Sequence, residues 1–325
     1  MSPIFDPRPW GTRDLSPIYP HYRPAEKIGE SWLTGDHCKV ANGPRRGQSL
    51  AELSTEYGRI LVGDAARDAT RFPLLLKFLF PHEKLSVQVH PDDEAARQIG
   101  EPHGKTECWY VAHAKPGAQI ALGLKTGVTK AQFEKAIHEK QAESLLNWIE
   151  VSCGEMIYVV GGTVHTLGSG AIIVETQQQS DTTYRLYDYG RPRELHLREG
   201  LSVLKEQVRS GKVVRAAPQA MDGMKNRCSP LVVSPYFVVE LFELKESHEF
   251  RVGNERTKSS VQILTCLEGR GVLETGGVEP TAFAKGDAVV VPAATTEFRI
   301  RPQRELELLR SFLPGQDVPE PATRL

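Results

Sequence analysis

The sequence predicts a mainly β protein: two β-barrels in one chain, with α-helices inserted into the first. Three observations predict it. From Phe72 onward, short apolar or alternating runs recur between Gly, Pro and Asp punctuation. A polar stretch without clear period interrupts them near residue 213, and a second set of strands follows. The two sets share a pattern: GEMIYVVGGTVH (154–165) and KGDAVVVPAATTEF (285–298) each place Gly, an apolar strand and a small-residue turn in that order.

The first seventy residues are broken by Pro and Gly, apart from one helix over SLAELSTEYGRIL (49–61). There Ser49 is the N-cap, and Leu50, Leu53 and Tyr57 recur at helical spacing. Strands are expected in FPLLLKFLF (72–80), LSVQVH (85–90), KTECWYVA (105–112) and AQIALGL (118–124). EMIYVV (155–160), AIIVETQQ (171–178) and TTYRLYDY (182–189) continue the series. Between them VTKAQFEKAIHEKQAESLLNWI (128–149) predicts one or two helices capped by Thr129, with Phe133, Ile137, Leu145 and Trp148 on the apolar side. LREGLSVLKEQVRSG (197–211) predicts a last helix, with Leu197, Leu201, Leu204 and Val208 on one stripe and Gly211 at its end. Residues 1–212 therefore form the first domain, 213–233 a linker and 234–325 a second, all-β domain. Its strands are expected in YFVVELFEL, SVQILTCLEG, GVLETGG, DAVVVPA and ELELLRSF.

Bulk properties narrow the partners. The formal net charge is −1, so no broad basic face for nucleic acid or an anionic membrane is expected. The five cysteines are odd in number and scattered without a CxxC pair, which fits reduced thiols. The N-terminus lacks an apolar h-region, and no window approaches the roughly 20 apolar residues of a membrane span. The expectation is a soluble cytoplasmic protein with no evident obligate protein partner.

Alternation singles out the residues able to do chemistry. In LSVQVHP, Ser86, Gln88 and His90 share one face opposite Leu85, Val87 and Val89. Lys105, Glu107 and Trp109 share a face in KTECWYV, and His165 follows a Gly-Gly turn small enough to let a strand end approach a metal. Each segment alone is compatible with an ordinary half-exposed strand or a surface histidine. Together they offer one amide, two imidazoles and one carboxylate, a mixed N/O set suited to Zn²⁺ or a similar divalent ion. Lys77 lies inside an apolar run, where a buried ammonium costs several kcal/mol unless it is paired, serves an anionic ligand or snorkels at a strand end. In SDTTYRLYDYGR, Asp181, Thr183, Arg185 and Tyr187 fall on one face if the stretch is extended. That would set a carboxylate beside a guanidinium, as a plain ion pair or as part of a site.

LLLKFL, LSVQVHPDD, GKTECWYV, GTVHTLG and QQSDTTYRLYDYGR, in this order and spacing, closely resemble the type I mannose-6-phosphate isomerases, most of all a short bacterial branch. PWG (9–11) and IGESW (28–32) are similar to its N-terminal signatures. The resemblance covers residues 9 to about 210 densely and the rest loosely. It implies a cupin fold (a double-stranded β-helix) with a second, metal-free barrel. It implies Gln88, His90, Glu107 and His165 as ligands of one Zn²⁺, Arg185 as the active-site arginine, and Lys77 and Lys105 in the pocket. Trp32 and Ser86 are expected with Lys77 on the substrate, a small-molecule sugar phosphate. The implied reaction is reversible isomerisation of mannose 6-phosphate and fructose 6-phosphate through a cis-enediol, with Arg185 and Lys105 as electrophiles; for the base, the four-residue spacing to Arg185 favours Asp181, with a metal-bound hydroxide or a pocket His as alternatives. The alternatives are another sugar, or a sugar-binding cupin without catalysis. The sequence departs from the family's usual Pro-Ala-Gly or Pro-Gly-Gly lead into the second His, having Val160, Gly161 and Gly162 instead. AATTEF, after the last apolar strand of the second half, holds no His.

Overall fold

Alternation along the chain becomes two facing sheets in each half. The structure, a computed structural model, describes every residue except 215–216, 222–224, 253–258 and 316–317. The first half begins with β1 (Ile4–Thr12), β2 (Ile28–Trp32), β3 (Leu74–Leu79), β4 (Val87–Val89), β5 (Glu107–Ala114) and β6 (Gln119–Leu124). It continues with β7 (Leu146–Glu150), β8 (Met156–Val159), β9 (His165–Leu167), β10 (Ala171–Gln178), β11 (Tyr184–Tyr187) and β12 (Gly211–Val213). The second half holds β13 (Gln219–Met221), β14 (Asn226–Val233), β15 (Val238–Leu244), β16 (His248–Arg251), β17 (Gln262–Glu268) and β18 (Arg270–Glu274). β19 (Thr281–Ala284), β20 (Ala288–Val291), β21 (Glu297–Pro302), β22 (Leu306–Phe312) and β23 (Thr323–Arg324) complete the chain.

The two halves repeat one topology. In the first, β3-β10-β5-β8 faces β4-β9-β6-β7; in the second, β15-β22-β17-β20 faces β16-β21-β18-β19. Each is an eight-stranded jelly roll. Trp109, Val111, Ile120, Leu122, Ile157 and Ile173 fill the first barrel from both sheets. Phe242, Leu264, Phe283, Phe298 and Leu308 fill the second. The remaining faces pack on each other: Leu74, Leu76, Phe78, Tyr110 and Tyr158 meet Phe237, Val239, Ile263 and Leu309 in one continuous core. This explains the unbroken apolar run at β3, whose six residues are all buried because both of its faces are covered. Each of its apolar side chains contributes about 1.5–3 kcal/mol of burial.

Caps place the helices. In α1 (Leu50–Tyr57) Ser49 and Glu52 form a reciprocal capping box, and Thr129 and Gln132 do the same at α4 (Lys130–His138). The intervening helices are α2 (Arg59–Val62) and α3 (Asp93–Gln98); α5 (Leu197–Val203) comes last. Among the described residues no helix is long and apolar enough to cross a membrane.

Three expectations change. Of the one or two helices predicted over 128–149, α4 stops at His138, because Lys140 takes a left-handed φ of 60°, and a 3-10 helix follows over Ala142–Leu145; Leu146–Glu150 then pairs with β6 as a strand. The last helix stops at Val203, where Leu204 turns extended, and the Lys205 N–H bonds to the Gly162 carbonyl. The segment expected as a linker, 213–233, carries β13 and β14; β14 runs along β15. Its sequence lacks a clear strand period because Asn226 and Ser229 are buried polar residues, Arg227 is exposed and Pro230 sits at a bulge. β23 also returns from the far end of the chain to pair with β12.

Candidate active site

Two rows of paired residues build the site. On one sheet Arg185, Gln88 and His165 stand opposite one another across β11, β4 and β9. On the facing sheet Trp32, Lys77, Glu175 and Trp109 form a row across β2, β3, β10 and β5, and Glu107 opens β5 beside it. Because Val87 and Val89 pack outward with the helices, Ser86, Gln88 and His90 turn into the barrel.

There the ligand atoms of His90, Glu107 and His165 lie within 4.8 Å of one another. His165 Nε2 is 3.4 Å from Glu107 Oε1, and His90 Nε2 is 3.7 Å from Oε2. Each imidazole offers its Nδ1 to a backbone carbonyl, Thr182 at 2.9 Å for His90 and Thr163 at 2.8 Å for His165. That contact holds the proton on Nδ1 and aims the Nε2 lone pair at Glu107. Burial pushes both histidines down, His165 to about 4, so they stay neutral. Lys105 Nζ donates to Glu107 Oε2 at 2.7 Å and lies 3.0 Å from His90 Nε2.

Glu107 Oε1 is fully buried and has no hydrogen-bond donor among the described residues. A carboxylate oxygen facing imidazole lone pairs without a donor is costly, and a divalent cation satisfies all of them at once. Two imidazoles and a carboxylate fit Zn²⁺ or a similar ion. Gln88 adjoins the cluster: its amide nitrogen is 3.3 Å from His165 Nε2 and its oxygen 3.4 Å from Ser86 Oγ. A half-turn of the amide exchanges the two and brings the oxygen inward. Gly162, before His165, has φ +93° and its N–H bonds to the His90 carbonyl at 2.7 Å, while a Cβ on Gly161 would sit 2.6 Å from Asp92 Cα. These glycines let the turn lie on the loop carrying His90.

Beside the cluster opens a cavity of about 470 Å³, lined among others by Ser86, Gln88, Lys77, Lys105, Glu175, Asp181 and Arg185. Lys77 does not snorkel. It is 3% exposed, with Nζ 3.3 Å from Asp181, 3.5 Å from Glu30 and 3.9 Å from Glu175, over the Trp32 ring at 4.3 Å. Trp32 thus stands behind Lys77, its Nε1 donating to Glu30 at 2.7 Å. Asp181 and Arg185 both reach the cavity, but Asp181 pairs with Lys77 while Arg185 donates to the Glu194 carbonyl at 2.8 Å. Asp181, Thr183 and Arg185 thus share the cavity as expected, but the side-by-side pair does not form, since Asp181 and Thr183 precede the strand; a bulge follows Arg185. Tyr187 leaves the site and packs against Tyr189.

Glu175 and Glu30 escaped the sequence reading. Alternation in AIIVETQQ sets Glu175 inward with Ile173 and Gln177, but only the register shows what it meets. Glu175 accepts from Trp109 Nε1 at 3.0 Å; burial and then Glu107 push its carboxyl up to about 7, against Lys105 and Lys77. Burial alone would raise Glu30, but Lys77 and Arg8 more than reverse this and hold it down to about 2. The unfolded state then binds the extra proton between pH 4.5 and 2, so this stabilisation is complete above 4.5 and lost on acidification through that window. Glu30→Gln should lower stability by up to roughly 3 kcal/mol at pH 7. The gap to wild type, followed by thermal unfolding, should close toward pH 2; a gap independent of pH would refute the pairing.

The second barrel keeps these rows with other chemistry. Where Lys77 faces Glu175 across β3 and β10, Glu240 faces Arg310 across β15 and β22, a buried pair with contacts of 3.1 and 2.7 Å. Gln262 takes the place of Glu107 at the start of its strand. Phe250 and Phe298 stack at 4.8 Å across the strand pair that corresponds to β4 and β9, where Gln88 pairs with His165. Neither ring supplies a ligand atom.

Residues 5–123 match the family "Phosphomannose isomerase type I, catalytic domain", and residues 229–313 match "Mannose-6-phosphate isomerase, cupin domain". The mannose-6-phosphate isomerase of Streptococcus mutans is 35% identical over 312 residues, 93% of this chain and 94% of its own length. A Bacillus subtilis mannose-6-phosphate isomerase is 35% identical over 313 residues, 92% and 94% of the two chains. The crystal structure of the mannose 6-phosphate isomerase from Bacillus subtilis superposes with a TM-score of 0.83 at 33% identity, covering 95% of this chain and 98% of that one. A zinc-bound mannose 6-phosphate isomerase shares the fold at 15% identity, with a TM-score of 0.75 and coverage of 96% and 98%. On sequence and on fold alike, this chain belongs to the type I mannose-6-phosphate isomerase family.

Proposed function

We propose that this chain interconverts mannose 6-phosphate and fructose 6-phosphate through a cis-enediol, with zinc held by Gln88, His90, Glu107 and His165. The observation that carries the reading is the orphaned Glu107 Oε1, set among imidazole lone pairs at the wall of a cavity lined by Lys77, Lys105, Asp181 and Arg185. Relatives that share most of the chain's length carry this activity in their names. Bound there, zinc would supply Lewis acidity toward the sugar oxygens and a fixed template for them.

The chain's own groups divide the remaining work. Of the three carboxyls around Lys77, Glu30 and Glu175 are buried and Asp181 is the accessible one. Asp181 therefore takes the proton from C2 and returns it to C1, with the Lys77 ammonium 3.3 Å away holding the carboxylate in place. Lys105, already donating to Glu107, turns a second N–H to a sugar oxygen, and Arg185 steadies the negative charge that develops on the enediolate. Ser86 orients the Gln88 amide. The guanidiniums of Arg8, Arg185 and Arg193 at the same cavity favour a phosphorylated sugar over a neutral one.

The test is a coupled assay of mannose 6-phosphate conversion on purified protein, before and after chelation and with Zn²⁺ restored. Activity should vanish with the chelator, return with zinc, and exceed turnover of free mannose by at least about tenfold. A zinc-replete protein inert toward mannose 6-phosphate would refute the isomerase reading.

A further inference from the structure

Lys105 owes its place to the segment that follows His90. The backbone N–H groups of three successive residues are all held: Gly104 by Asp93 Oδ1 at 2.9 Å, Lys105 by the Pro91 carbonyl at 2.9 Å, and Thr106 by Gln178 Oε1 at 2.9 Å. Gln178 is itself fixed, since its Nε2 donates to the same Asp93 Oδ1 at 2.9 Å. Gly104 fits only without a side chain, because a Cβ there would meet the Asp92 carbonyl carbon at 2.4 Å. Asp93 thus gathers the loop 104–106 and the end of β10 onto one oxygen. Its Oδ2 points away from the site, to Arg67 at 2.8 Å, whose side chain is exposed. Beyond the clamp, the Lys105 ammonium is 4% exposed and spans Glu107 and His90.

We infer that Asp93 is a positioning residue: together with Gln178 it fixes the Lys105 backbone so that the ammonium is held against the His90–Glu107 cluster. The catalytic consequence rests on the functional reading above; the geometric one does not. Outer hydrogen bonds of this kind set the orientation of groups that touch metal or substrate, and small misplacements are expensive in rate.

The experiment labels the full, chelated protein with acetic anhydride and compares acetylation of Lys105 with that of Lys77, an equally buried lysine outside the clamp. In Asp93→Ala the Lys105-to-Lys77 labelling ratio should rise at least about tenfold. Asp93→Asn, which keeps an acceptor oxygen, should return it to within about threefold of wild type. Arg67→Ala should leave it unchanged. In the zinc-loaded enzyme Asp93→Ala should lower kcat about tenfold or more, with KM and zinc content within twofold. If Asp93→Ala does not fold, Gln178→Ala carries the same expectation. An unchanged ratio in both variants, or an equal rise in Arg67→Ala, overturns the inference. Wild-type protein inert toward mannose 6-phosphate would refute the functional reading alone, since the labelling ratio still judges the clamp.

Discussion

Replacing Glu107 with Gln is expected to strip the site of zinc and reduce turnover to background, a loss of three orders of magnitude or more. The change removes one negative charge and almost no volume. The two imidazoles stay neutral, so without Glu107 the cluster has no anionic ligand and metal affinity collapses. The cost also reaches the fold. Lys105 is 4% exposed and loses its carboxylate partner at 2.7 Å, and stranding a buried charge typically costs about 3–5 kcal/mol. The measurement is metal content by mass spectrometry beside kcat and thermal unfolding on the same preparation. A zinc-replete Glu107→Gln enzyme with near-normal turnover would remove Glu107 from the metal set.

Arg185→Ala should behave in the opposite way toward metal. Arg185 pairs in register with Gln88, yet its guanidinium contacts none of the four proposed ligands; it donates to the Glu194 carbonyl, and its buried Nε has no partner among the described residues. Removing it should leave zinc content within error of wild type and lower kcat by about 10²–10³, the usual loss on deleting one pre-aimed donor. Arg185→Lys should recover only part of this, because an ammonium cannot reproduce the planar fork. Near-normal turnover of Arg185→Ala, with zinc bound, would show that the charge on the enediolate is carried elsewhere.

Much of this site was legible in the residues. Alternation in LSVQVH assigned a side to each residue, and tertiary structure kept that assignment because β4 lies between a packed helical layer and the barrel interior. The same rule placed Glu107 with Lys105 and Trp109. The caps at Ser49 and Thr129 were equally local, since each needs only a side chain three residues away. Lys77 was marked as anomalous by its apolar surroundings, but its partners were not readable. Glu30, Glu175 and Asp181 come from three separate segments, and only the antiparallel register brings them to one ammonium.

The failures share one cause. β7 reads as helix because Leu145 and Trp148 continue the period of α4; beyond the left-handed Lys140, Leu145 ends a short 3-10 helix and Trp148 pairs with the open edge of β6. Asp181 and Arg185 share a face in a uniform strand and do line one cavity, but Asp181 lies ahead of the strand and takes Lys77 as its partner instead. The sequence by itself determined which residues alternate, where helices begin, and which face of each strand carries ligands, because those properties depend on neighbours within a few positions. Tertiary structure alone decided that Lys77 is paired, that Glu175 faces it, and that Phe250 and Phe298 pair in the second barrel where the first pairs Gln88 with His165. Those facts depend on strand register, which is set by burying whole faces at once.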